Sequence, residues 1–408
     1  MLRNSPTKAG SVLLFNFMEP ILIVIAFLFL LVYIGLIIYY RQSWVSIADL
    51  RFPISDFVPS TKISIIIPAR NEERNIKACI NSIINQYYPA TLFEVLVVDD
   101  HSTDNTAAIV SSYQLPNIKL ISLKDFIAPN EINSYKKKAI EIAIHQSSGE
   151  LIITTDADCI APKNWLQTIA VFYQEKKPDL IVMPVAINCS NKFIEIFQAL
   201  DFMTLQGITG ASVHKKFHSM CNGANLAYTK KAFNAVNGFS GIDNIASGDD
   251  MLLMHKIFKQ DANAVLFLKS KEVIVQTQPV HTIKEFFNQR IRWASKADKY
   301  DDKRIFGVLV LVYLFNVLLI VLPIISLFLN EKHSIFDIQY STFKLWLFLL
   351  LIKTIIELIF LYPVAKFFDK KKLLWWFPLM QPLHILYTVI AGWLGKFGSY
   401  KWKGRNVK

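Results

Sequence analysis

In the stretch TTDADC, residues 154–159, the carboxylates of Asp156 and Asp158 stand either side of one alanine. They follow an apolar or small run, Leu151, Ile152, Ile153, Thr154 and Thr155. On an extended chain, residues two apart point to the same side. Two carboxylates held that close repel, and each raises the pKa of the other. A hard divalent cation relieves the repulsion: Mg2+ or Mn2+ takes one or two carboxylates, keeps several waters and completes its shell with phosphate oxygens. A second acidic pair, Asp99 and Asp100, follows the apolar run EVLVV. A lone Asp-x-Asp reads equally as a surface turn. The apolar run ahead of each pair argues instead for acids emerging from a buried sheet into a cleft.

The elements that would hold these acids alternate along the chain. ISIIIPA (63–69) is a β-rich run followed by a helix-like stretch from Asn71 to Asn85. FEVLVVDD (93–100) is a second strand, with a helix opening at STDNTAAIV, and IKLISL (118–123) is a third. A helix-like segment, 135–147, leads into the strand ELIITTDAD. Strands alternating with helices predict βαβ units and a mostly parallel, Rossmann-like sheet. Uninterrupted apolar strands fit a sheet buried on both faces. Ligands bind such sheets at the carboxyl ends of the strands, where both acidic pairs lie. There is no internal repeat and no low-complexity tract.

The 408 residues are 53% hydrophobic, too apolar for an ordinary soluble enzyme. Residues 20–40 carry no charge and are long enough to cross a hydrocarbon core; no small-residue cleavage site follows, so they read as an anchor. Residues 305–330 form a second uncharged run, and 345–365 a third, interrupted by Lys353 and Glu357. Those two are four apart and share a helix face, either as an ion pair or as the polar lining of a path. Residues 373–395 are apolar but broken by Pro378 and Pro382, which fits either a full span or a re-entrant or interfacial segment. The net charge of +12 resides largely beside the apolar runs, as in KFFDKKK (366–372) and KWKGRNVK (401–408), where a positive-inside membrane protein keeps it. No basic helix with interleaved aromatics suggests nucleic-acid binding. Four scattered cysteines form no CxxC pair, which points to a reducing compartment and no zinc site.

The motifs come in a recognisable order: SIIIPARNEERNI, EVLVVDDHSTDNT, KKKAIEIAI, ELIITTDADC, CNGANLAYTKKAF, SGDDMLLMHKI and QRIRW. The segment from about 62 to 295 resembles the membrane-bound family 2 glycosyltransferases of the nucleotide-sugar-binding GT-A fold. That resemblance implies roles for particular residues. Pro68, Ala69, Arg70, Asn71 and Glu72 would line the nucleotide pocket, and one of Asp99 and Asp100 would read the base. Lys136 and Lys137 would lie near the nucleotide, unless they are a solvated helix start. Asp156 and Asp158 would hold Mn2+ or Mg2+ on the diphosphate. Asn222, Gly223, Ala224 and Asn225 would sit by the sugar or acceptor. Asp250, with Asp249 before it, is the candidate general base: a carboxylate within reach of a sugar hydroxyl can take its proton during attack. Family members often show Glu-Asp here, and one aspartate could instead cap the helix MLLMHKIF. QRIRW (289–293) matches Gln-x-x-Arg-Trp, with Gln289 and Arg292 on one helix face, Arg292 placed to fork onto phosphate oxygens and Trp293 to floor the acceptor site.

The expected organisation is an anchor at 1–45, a cytoplasmic GT-A domain at 46–300, and a membrane region of two or three spans with a basic tail at 301–408. Nucleotide sugars are cytosolic, and Arg41, Arg51 and Lys62 beyond the first span agree with a cytoplasmic domain on a bacterial-type inner membrane. The expected reaction is inverting transfer from a nucleotide-diphosphate sugar, a UDP-sugar first, to a lipid or lipid-linked acceptor. The alternatives are a processive polysaccharide synthase and a non-catalytic scaffold on the same fold. The tail residues Trp402, Gly404 and Arg405 could return to the active site or rest on anionic headgroups.

Overall fold

The computed structural model describes residues 7–50, 57–128, 131–132, 134–217, 220–296, 302–329, 341–398, 400–402 and 405–407; Arg51 and Gly404 lie outside them. The apolar runs do form a sheet. Strands β1 (Ile63–Ala69), β2 (Phe93–Asp99), β3 (Ile118–Ser122), β4 (Leu151–Thr154), β5 (Leu180–Val182), β7 (Leu226–Thr229) and β8 (Val265–Phe267) lie in the order β3-β2-β1-β4-β7-β5-β8. Only β7 runs against the others: it pairs antiparallel with both β4 and β5, and every other pair is parallel. Strands β6 (Val185–Ile187) and β9 (Val275–Thr277) pair in parallel as a separate small sheet.

The period of two along the strands explains why both faces are covered. Ile63, Ile65 and Ile67 of β1 join Val95 and Val97 in a core with α2 (Ile76–Ile84) and α5 (Trp165–Lys176). Ile66, Leu96 and Val98 face the other way, into a core with α4 (Tyr135–Gln146). The short α3 (Thr106–Ser111) follows β2. The chain moves outward from β1 to β2 and β3, then returns to the opposite side of β1 as β4. That reversal opens a crevice at the strands' carboxyl ends.

Two local departures from the expected elements bear on the site. The strand ahead of the Asp-x-Asp ends at Thr154, and Asp156 begins a turn in which the Cys159 N–H donates to its carbonyl at 3.1 Å. The helix expected over 71–85 begins only at Ile76, because Asn71 adopts φ 54 and the Glu72 carbonyl accepts from Asn75 and Ile76 in a turn.

Further helices are α6 (Phe193–Lys215), α7 (Lys230–Ala235), α8 (Asp249–Gln260) and α9 (Ile283–Ala294). The long apolar ones are α1 (Thr7–Ser46), α10 (Lys303–Leu329), α11 (Ser341–Phe367) and α12 (Phe377–Phe397). Among the described residues four segments are long and apolar enough to cross a membrane: Ile21–Ser46, Lys303–Ser326, Thr342–Phe367 and Lys371–Phe397. The stretch expected to break at its prolines starts in a 3-10 turn, Lys371–Trp376, and then runs through both prolines as the helix α12. Pro378 stands in its first turn, where an N–H has no acceptor to lose, and Pro382 is carried inside. A hairpin of β10 (Tyr400–Trp402) and β11 (Arg405–Val407) follows.

α1 packs against α6, α10 and α11, and α12 packs against α10 and α11, which ties the four apolar segments together. The charged pair in α11 is satisfied there. Lys353 Nζ lies 2.8 Å from Glu357 Oε1 and 2.9 Å from Gln381 Oε1. Gln381 donates to Glu357 at 2.5 Å, and the Tyr33 hydroxyl donates to the same carboxylate. All four are buried. The pair is thus an ion pair locked across three helices, with no place in the cleft described next.

Candidate active site

A cleft of about 1780 Å³ opens at the carboxyl ends of β1, β2 and β4. Pro68, Ala69, Arg70 and Glu72 line it from the turn after β1, Asp100 from beyond β2, and Asp156 and Asp158 from beyond β4. Asn222, Gly223 and Ala224 line it ahead of β7, Asp249 and Asp250 at the start of α8, and Gln289, Arg292 and Trp293 from α9. Positions scattered over more than two hundred residues of sequence therefore share one concavity.

Lys136 holds the acids together. Its ammonium lies 2.8 Å from Asp156 Oδ1 and 3.4 Å from Asp249 Oδ2, bridging the end of β4 to α8. Burial alone would lower its pKa, but the two carboxylates outweigh that and hold it above the usual lysine range. Asp158 accepts from the Thr277 hydroxyl at 3.2 Å and from the Cys159 thiol at 3.7 Å. Among the described residues no group of three Asp, Glu, His or Cys side chains gathers as a closed metal cage. Two carboxylates on one open cleft, with that of Asp156 39% exposed, instead suit a cation that shares its shell with phosphate oxygens and water.

Asp249 does not cap α8. The N-cap position is Gly248, at φ 82, with no side-chain cap, and both aspartates fall in the first turn. Asp249 is free of the capping role and turns to Lys136. Asp250 Oδ2 accepts from the Gly223 N–H at 2.9 Å. A Cβ on Gly223 would stand 3.1 Å from Asp249 Oδ2 and 3.4 Å from Asp250 Cβ, so glycine permits this approach.

Four residues expected in the pocket stand outside its lining. Asn225 is fully buried. Its amide donates to the Pro184 and Val273 carbonyls, both at 2.7 Å, and its oxygen accepts from Trp165 Nε1 at 3.0 Å, so its polar atoms are used in the core. Lys137 is also buried, donating to the Ile242, Ile245 and Ser247 carbonyls. Burial pushes its pKa down to about 8, against the pull of Asp249. It clamps the loop that delivers α8 rather than facing the cleft. Asn71 accepts from the Thr103 N–H at 2.8 Å and joins two loops. Asp99 ends β2 and accepts from the Ser102 N–H at 3.3 Å, whereas Asp100 faces the cleft beside Arg70, 3.6 Å away, and His101, 3.0 Å away.

α9 opens with a capping box between Thr282 and Glu285. Its motif contains a residue that sequence reasoning passed over. Arg290 is buried, pairs with Asp201 of α6 at 2.6 Å, and donates to Gln289 Oε1 at 3.0 Å. Its guanidinium carbon stands 4.2 Å from the Trp293 ring centroid and 4.7 Å from that of Phe286. Arg290 of QRIRW thus fixes Gln289 and Trp293. Its signal in the sequence is a charge on the inward face of an amphipathic helix.

The cleft does not end at α9. It continues along Phe306, Leu309, Val310 and Tyr313 of α10 and Tyr387, Ala391, Trp393 and Phe397 of α12. The backbone of β10 lies beside α9 at the same end.

Comparison with known proteins assigns the chain. The family model Glycosyl transferase family 2 matches residues 64–236, and Glycosyl transferase family group 2 matches residues 151–393, more than half the chain. The probable glycosyltransferase YdaM of Bacillus subtilis is 26% identical over 299 residues, 70% of this chain and 63% of that one. The poly(ribitol-phosphate) beta-N-acetylglucosaminyltransferase TarS of Staphylococcus aureus is 36% identical over 124 residues, 30% of this chain and 20% of TarS. The chain therefore spans less than two thirds of either relative. The mannosyltransferase PcManGT from Pyrobaculum calidifontis, solved in complex with GDP-Man and Mn2+, is 16% identical and superposes with a TM-score of 0.51, covering 91% of this chain and 99% of that one; it shares the fold. With a mostly parallel sheet carrying acids at its strand ends and a family model matched over more than half its length, this chain belongs to glycosyl transferase family group 2.

Proposed function

We propose that this enzyme moves a sugar from a nucleoside-diphosphate sugar to a hydroxyl of a lipid or lipid-linked acceptor at a membrane surface, in the making of a cell-envelope glycan or glycolipid. The observation that carries the reading is the continuity of the cleft: one concavity runs from Asp156, Asp158 and Asp250 to the apolar side chains of α10 and α12. The polar end suits a diphosphate and the apolar end a hydrocarbon chain.

In this reading Arg70 and Asp100 hold the nucleotide end of the donor, with a UDP-sugar as the first choice. Asp156 and Asp158 would hold a divalent cation, which would offset the charge of the departing diphosphate. Asp250 accepts the proton of the acceptor hydroxyl while its oxygen bonds to the anomeric carbon. The bond to the diphosphate breaks on the opposite face, so configuration inverts in one displacement. The Gly223 N–H fixes the Asp250 carboxylate for that task. Arg292 donates to phosphate oxygens, and Trp293, stacked on Arg290, floors the acceptor. Residues 46–300 would form the catalytic unit, facing the cytoplasm where nucleotide sugars are made, between the anchor at 1–45 and the membrane region at 301–408. TarS is named for transfer to poly(ribitol-phosphate), and PcManGT was solved with a nucleotide sugar and Mn2+, which supports a donor of this class.

The test is nucleotide release by the full-length protein in detergent, from a panel of UDP-, GDP- and dTDP-sugars, with and without a lipid extract. Release that depends on the lipid and on Mn2+ or Mg2+ is expected, and a single addition to lipid rather than a ladder of products. Asp250→Asn should lower the rate by about 10²–10⁴. Full activity in that variant would remove Asp250 from the mechanism.

A further inference from the structure

One cation in the cleft has no role in the scheme above. Lys296 follows α9 by two residues, is only 8% exposed, and lines the cleft. Its stem packs where Gly248 lacks a side chain: a Cβ there would stand 3.3 Å from Lys296 Cδ. No ion pair or hydrogen bond joins its ammonium to any described residue. Burial lowers its pKa, with Asp250 opposing and the nearby Arg292 guanidinium adding to the effect. Those influences place it within electrostatic reach of both the candidate base and the motif arginine. The ammonium is not among the fully enclosed unpaired groups, so it stays open to the cleft, where a ligand can bring it oxygens.

We propose that Lys296, together with Arg292, forms a phosphate-binding subsite of the cleft. The inference rests on the cleft being the donor and acceptor site. The phosphate has two possible sources of the same chemistry: a lipid phosphate reaching in along α10 and α12, or the diphosphate leaving with the nucleotide. In either case Arg292 supplies a planar fork and Lys296 a point charge. They stand four residues apart across the end of α9, and both line the cleft.

The experiment is isothermal titration calorimetry of the full-length protein in detergent with three probes: farnesyl phosphate, farnesol, and UDP with Mn2+. Wild type is compared with Lys296→Met and Lys296→Arg. The expected result is that Lys296→Met weakens farnesyl phosphate by about tenfold or more while farnesol is unchanged, and that Lys296→Arg recovers most of the loss. A loss confined to UDP with Mn2+ also supports the subsite and names the donor as its source. If neither phosphate ligand shifts by more than about twofold in a variant that melts like wild type, Lys296 holds no phosphate, although the reading of the cleft survives. A parallel fall for farnesol would make the effect one of packing and also overturn the subsite. If the wild type itself binds neither farnesyl phosphate nor UDP, the subsite and the functional reading fall together.

Discussion

Replacing Arg290 by methionine tests how the motif helix is held. The Arg290 and Asp201 side chains are 4% and 3% exposed, and their closest atoms are 2.6 Å apart. The Tyr387 hydroxyl also donates to Asp201, and His384 Nε2 lies 3.7 Å from it. One buried carboxylate therefore ties α6, α9 and α12 together. Arg290→Met keeps most of the stem but leaves that carboxylate uncompensated, a loss of about 3–5 kcal/mol. Asp201→Asn keeps an acceptor for Tyr387 and strands the guanidinium instead. Removing both charges removes both penalties, because an ion pair replaced as a unit is often neutral. The double variant should therefore be more stable than either single one. Chemical unfolding in detergent, read by tryptophan fluorescence, gives the order, and nucleotide release gives the functional cost. A shift of α9 by about 1 Å would displace Gln289, Arg292 and Trp293 and lower the rate by about 10². Additive losses in the double variant, or a change within about 0.5 kcal/mol for Arg290→Met, would refute the clamp.

Three further outcomes follow from the same geometry. Asn225→Leu leaves the Trp165 N–H and the Val273 carbonyl unpaired, at about 1–3 kcal/mol each, and the Pro184 carbonyl with only the Val275 N–H, so it should lower the unfolding midpoint and leave the KM for donor unchanged; a raised KM at unchanged stability would return Asn225 to the pocket. Asp156→Asn should abolish the Mn2+ dependence of UDP binding in calorimetry, and a titration identical with and without the substitution would move the cation elsewhere. Gly395→Ala puts a Cβ 2.6 Å from that of Ala294 and 3.0 Å from the Ser295 nitrogen, so α12 must leave the end of α9 at about 1–3 kcal/mol; unchanged melting and unchanged activity would rule out that close approach.

Much of the architecture is written locally. The isoleucines and valines of β1 and β2 alternate between two cores, so continuous apolar runs did announce a sheet covered on both sides. The acids at 99–100 and 156–158 mark where strands stop, because a charge does not continue a buried strand. The apolar lengths of α1, α10 and α11 could be read without any partner. The antiparallel β7 could not, since it has only four residues, LAYT, and its direction is set by the neighbours β4 and β5.

Which member of each polar pair reaches the cleft was decided only in three dimensions. Asp99 still belongs to the ladder of β2, while the next residue leaves it, and His101 at φ 54 turns the chain so that Asp100 meets Arg70. Lys136 and Lys137 are adjacent on α4, yet a helix rotates successive side chains by about 100°, which sends one to Asp156 and the other beneath the 242–247 loop. Asn222 and Asn225 part in the same way, one at the rim and one bonded into the core. Hydropathy and spacing record which residues are polar and how often they recur. Whether a polar atom is consumed inside the fold or offered to a ligand depends on partners tens of residues away, and only the folded chain brings those partners within hydrogen-bond distance.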